Sequence, residues 1–111
     1  MGDTAIGDRW GEAEVRVFES GRAARVTSRP VLGAEPGWEA SIWAWGGPRV
    51  SVSVTRWEDC RIAETIEVSA PLADIRQVWA RRGVAEALSA ADLEVGLQLC
   101  LAALAESEVA A

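Results

Sequence analysis

Trp38-Glu39-Ala40-Ser41-Ile42-Trp43-Ala44-Trp45, then Gly46-Gly47-Pro48, then Arg49-Val50-Ser51-Val52-Ser53-Val54-Thr55-Arg56-Trp57 is the stretch that decides the fold. Both arms alternate with a period of two, as half-buried strands do, and the glycines and proline between them mark a turn. With a three-residue loop, Trp45 faces Arg49, Ile42 faces Val52 and Ala40 faces Val54. Trp38, Ala40, Ile42, Ala44, Val50, Val52 and Val54 then share one side. Glu39, Ser41, Trp43, Trp45, Arg49, Ser51, Ser53, Thr55 and Trp57 share the other. A two-residue loop would mix the valines with Glu39 and Ser41. Because a one-residue slip exchanges faces, the clean segregation selects the three-residue loop.

On the N-terminal side, Gly11 to Phe18 alternates with Ala13, Val15 and Val17 on one side, which predicts another half-buried strand. Ser20-Gly21 reads as a turn, and Arg22 to Arg29 as a return strand with Ala24 and Val26 inward. Pro30 ends it, and Gly33 to Gly37 reads as a loop. Residues 1–9 are small, polar and expected to be loose.

On the C-terminal side, Ile62 to Val68 suggests a fifth strand with Ile62, Ile66 and Val68 on one parity. Pro71 stands near a helix start and Gly83 just past its end, with Leu72, Ile75, Val78 and Trp79 as one apolar stripe. Ser89-Ala90-Ala91-Asp92 resembles a capping box with Asp in place of Glu or Gln. Leu93, Leu97, Cys100, Leu101 and Leu104 continue a helix that Val95 and Leu99 make apolar nearly all round. The expected fold is therefore α+β: one domain over 1–111, an antiparallel sheet of four to five strands, then two helices packed on one face.

The chain has 111 residues, with 11 basic side chains against 17 acidic and a net charge of -6. Half of it is apolar and a quarter charged, which argues against wholesale disorder. His, Lys, Tyr and Asn are all absent, so every cation is Arg. That removes imidazole bases, Ser-His and Cys-His pairs, P-loop and Schiff-base lysines, and His-based zinc sites. Carboxylate-only catalysis of the glycosidase type stays open. The same composition fits a GC-rich coding sequence and, by association, a bacterial or phage source. Cys60 and Cys100 are 40 residues apart with no further cysteine beside either, so neither metal-ligand spacing nor a disulfide framework is expected. The start carries no signal-peptide pattern and no apolar run suits a membrane span, so a cytoplasmic protein is expected, with no membrane and no cofactor.

The run Ile66-Glu67-Val68-Ser69-Ala70-Pro71, followed by Val78-Trp79, resembles the opening strand and helix of START-like ligand-binding domains. In that family this segment opens a much longer domain, whereas only 29 residues follow Arg82 here, and the resemblance is not adopted.

Two features point toward function. Six of the seven aromatic residues are Trp. Trp10, Trp38 and Trp79 suit a core, while Trp43, Trp45 and Trp57 fall on the Ser/Thr-bearing side, as a contact platform would, with Arg49 opposite Trp45 positioned to stack on it. Charge is also uneven: residues 1–82 contribute -1 and residues 83–111 contribute -5, through Glu86, Asp92, Glu94, Glu106 and Glu108. An acidic chain is a poor direct nucleic-acid binder, and Arg76, Arg81 and Arg82 suit pairing with nearby carboxylates. The leading expectation is a small non-enzymatic interaction module of inhibitor, immunity or adaptor type, anti-CRISPR proteins being one example. It would use Trp43, Trp45, Trp57, Arg49 and Glu39 together with Asp92 and Glu94. Its partner would be another protein with a basic surface, in competition with nucleic acid, or a second copy in a homodimer. The alternative is a sugar or small-ligand site on the Trp platform, or a carboxylate enzyme using Glu58 with Asp59 or Glu39 beside Trp43.

Overall fold

The computed structural model describes residues 10–28, 37–45 and 49–110, with side chains through Ser107. Residues 1–9, Pro30, the expected loop at 33–36 and the turn at 46–48 lie outside the described residues. Five strands, β1 (Glu14–Phe18), β2 (Gly21–Thr27), β3 (Gly37–Trp45), β4 (Arg49–Glu58) and β5 (Arg61–Pro71), form an antiparallel sheet in chain order. Two helices follow, α1 (Leu72–Arg82) and α2 (Ala90–Ala110), and both pack against one face of the sheet. Gly37, expected in a loop, is already the first residue of β3.

The central hairpin has the register that segregation of its valines selects. Ile42 pairs with Val52, Ala40 with Val54 and Ala44 with Val50, and all six are buried under the helices. Ala24 and Val26 of β2 join them, as the sequence predicts. The first strand proper starts at Glu14 instead of Gly11. The residues before it are tied to the end of β2 by a Trp10–Ser28 bridge and by the Gly11 N–H donating to the Thr27 carbonyl at 3.0 Å.

One parity expectation fails. The β4–β5 register shifts between Arg56 and Trp57, so Arg56 pairs with Glu64 but Trp57 with Ile62. The extra residue on β5 takes Ile62 off the Ile66 side and sets it beside Trp57.

The helix ends follow their chemistry. Pro71 precedes α1, Asp74 lies in its first turn and Arg81 and Arg82 in its last, each on the favourable end of the helix dipole. Gly83 closes it at φ 74°, the left-handed position that glycine occupies without a Cβ penalty. The Ser89 Oγ accepts from the Asp92 N–H at 3.1 Å and caps α2. At the other end, the Arg22 guanidinium donates to the Ser107 carbonyl at 2.6 Å, a cation where the dipole favours one. Leu93, Leu97 and Cys100 of α2 are buried with Ile75 and Trp79 of α1. Gly96 lets α2 press onto Ile42 and Trp10. Buried indoles keep their hydrogen bonds: Trp10 Nε1 donates to the Asp92 carbonyl at 3.0 Å and Trp79 Nε1 to the Leu88 carbonyl at 2.9 Å. Among the described residues no helix is long and apolar enough to cross a membrane.

Candidate functional site

With both helices on one face, no described element covers the other face of the sheet, and register alone determines what it carries. One row runs Glu14, Arg25, Trp43, Ser51, Ser69, and its neighbour runs Arg16, Ala23, Trp45, with Arg49 opposite Pro71. Further down lie Thr27, Ser41, Ser53 and Glu67, then Glu39, Thr55 and Thr65, and last Trp57 beside Ile62.

Trp43 and Trp45 are two residues apart on β3, so their rings project to the same side. The rings stack with centroids 5.6 Å apart and planes 13° apart. Phe18 closes on Trp45 from β1, at 5.7 Å and a 45° tilt. The Arg25 guanidinium lies 5.3 Å from the centre of the Trp43 ring. Ala23, between Arg16 and Trp45, is fully buried although no helix lies over this face, because the larger side chains beside it roof it. Even so, Trp45 stays 39% exposed and Phe18 42%.

The seven residues singled out from the sequence do not form one site. Trp43 and Trp45 belong together. Trp57 is on the same face but opposite Gly37, six positions along β4 from the partner of Trp43, or about 20 Å away. Arg49 does not stack on Trp45 among the described residues; Trp43 and Phe18 already take that ring, and the stacking cation is Arg25 on Trp43. Glu39 is four residues from Trp43 on the same strand, about 13 Å away, too far to share chemistry with it. Asp92 and Glu94 are on α2, on the opposite side of the molecule. Glu94 is engaged within the chain: Arg76 grips it with a two-pronged contact, one arm at 3.0 Å, and Gln98 donates to it at 2.8 Å. These bonds, Arg76 first, hold its carboxyl down to about 2, and the carboxylate in turn raises the Arg76 pKa. Phe18 and Arg25 were not singled out from the sequence, and they complete the aromatic cluster.

Concavities among the described residues lie on the helical side. A cavity of about 290 Å³ between α1 and the start of α2 is floored by Trp79, Leu88 and Leu93, with the Arg76–Glu94 pair at its mouth. An open cleft is lined by Trp38, Arg56, Glu64 and Glu86, where Arg56 stacks on Trp38 at 6.0 Å and pairs with Glu58 and Glu64. The Glu58–Asp59 pair is split, since Glu58 bonds Arg56 at the end of β4 while Asp59 lies in the turn. Cys60 is exposed and Cys100 buried; burial pushes the Cys100 thiol up to about 12, which makes it a poor nucleophile. No cluster of three or more His, Cys, Asp or Glu side chains that could hold a metal occurs among the described residues.

The architecture is an α+β meander, five antiparallel strands followed by two helices on one face. Compared with family models, curated proteins and solved structures, the chain matches none.

Proposed function

We propose that the chain is a non-enzymatic protein-interaction module, of adaptor or inhibitor type, that works through the uncovered face of its sheet. One observation carries the reading: in a stacked Trp43–Trp45 pair extended by Phe18, Trp45 and Phe18 remain about two-fifths exposed and Trp43 half-buried, on a face that neither helix covers. Indoles give much contact area for little side-chain entropy, and paired rings on a flat strand surface are already in place before a partner arrives. Ser and Thr around them leave a polar surround of the kind that rims binding hot spots. The docking surface expected from the acidic helix is a weaker candidate, because Glu94 is already neutralised by Arg76.

The test is the Trp43→Ala/Trp45→Ala variant, compared with the wild type in sedimentation and in capture on immobilised chain. We expect the wild type to associate, with itself or with a captured protein that rebinds when purified, and the variant to lose that association while keeping its circular dichroism. A variant that associates like the wild type contradicts the reading. Saturable quenching of the Trp fluorescence by a sugar, with no protein association, would replace it with the small-ligand alternative.

A further inference from the structure

The uncovered face is polarised along its strands. The half nearer the ends of β1 and β3 carries Arg16, Arg25 and Arg49 against Glu14, with the Phe18–Trp45–Trp43 cluster at its corner. The other half carries Glu39 and Glu67 and no arginine, with Trp57 and Ile62 exposed at the diagonal corner. Arg25, Arg49, Glu39 and Glu67 enter no ion pair among the described residues, and Arg25 Nε is buried there without a hydrogen-bond partner. Such a face is complementary to itself turned end for end. A two-fold axis in the plane of contact and perpendicular to the strands sets each cationic, aromatic half on the anionic half of the other copy, strand over strand. Trp43 and Trp45 then meet the Glu39 end of β3, and Arg49 meets Trp57.

We propose that the occupant of the uncovered face is a second copy of this chain, docked about a two-fold axis with the ends of the strands exchanged. This rests on the reading of that face as an interaction surface and specifies what covers it. Charge favours the choice. The chain carries -6, but this face holds three arginines against Glu12, Glu14, Glu39 and Glu67 and is nearly balanced, while Glu86, Asp92, Glu94 and Glu106 lie with the helices beyond it. Two like-charged copies therefore meet where their repulsion is least. Area permits it. The nineteen positions in the rows above, each about 4.8 by 6.7 Å, make a face of about 600 Å². Two such faces offer about 1,200 Å² together, within reach of the roughly 1,000 Å² that a specific interface needs.

Sedimentation equilibrium of the full chain with two charge-reversed variants tests the proposal. Glu39→Arg/Glu67→Arg makes both halves cationic, and Arg16→Glu/Arg49→Glu makes both anionic. We expect each variant alone to raise the dimer dissociation constant by about tenfold or more. Trp57→Ser/Ile62→Ser should do the same, and an equimolar mixture of the two reversed variants should return to near the wild-type value. The first variant is less negative overall than the wild type, so relief of general repulsion would strengthen its dimer, the opposite of what is expected. Recovery in the mixture also demonstrates that both variants are folded. A dimer indifferent to reversal of Glu39 and Glu67, or a wild type that is monomeric at every concentration, overturns the proposal. A monomer that still binds another protein through Trp43 and Trp45 would overturn the second copy and leave the interaction surface standing.

Discussion

Gly96 sits in the middle of α2, where alanine would improve helix propensity by about 1 kcal/mol. A Cβ there would stand 2.5 Å from Ile42 Cδ1 and 2.9 Å from two ring atoms of Trp10. Both neighbours are buried, and Trp10 is also held by its hydrogen bond to the Asp92 carbonyl, so neither can withdraw cheaply. Gly96→Ala is therefore expected to lose about 1–3 kcal/mol net in urea denaturation. An unchanged or raised midpoint would mean that α2 does not press on the sheet here. Nothing in the sequence marks this glycine, because its neighbours come from β3 and from the segment before β1. Arg25 was hidden for the same reason. Its place over Trp43 follows from the β2–β3 register, and alternation in β2 assigns faces without saying which residue on β3 stands opposite.

Among the elements, the β3–β4 hairpin was the most legible, since Ala40, Ile42, Ala44 and three valines all select one register. The helices were legible too, through Pro71, Gly83 and Ser89. The side taken by Ile62 was not, because counting by twos assumes an unbroken ladder and the β4–β5 register shift breaks it. The turn that joins those strands bears a visible strain. Asp59 and Cys60 have φ of 51° and 62°, the positive pair that a two-residue hairpin loop needs and that Asn-Gly fills best. A cysteine there costs about 1 kcal/mol more than glycine. Cys60→Gly is expected to stabilise the chain by about 0.5–1 kcal/mol in thermal or urea unfolding. A loss of stability would show that the Cys60 side chain contributes contacts outweighing its backbone cost.

In the molecule as a whole, two helices packed on one face of a five-stranded sheet leave the other face without a covering element among the described residues. That much was readable from the order of the elements, as was the side on which Trp43, Trp45 and Trp57 lie. Their separation into two corners, and the exchange of Arg49 for Arg25 as the stacking cation, required the full register. Glu64 to Arg82, which resembles a START-like opening, does run from strand into helix, its strand being the fifth of a meander. Hydroxyl-radical footprinting read by mass spectrometry over a series of protein concentrations tests the use of the uncovered face most directly. We predict that oxidation of Trp43, Trp45 and Trp57 falls together as concentration rises, while that of buried Trp10 and Trp79 stays low and constant. Equal labelling of these three indoles at every concentration would contradict it.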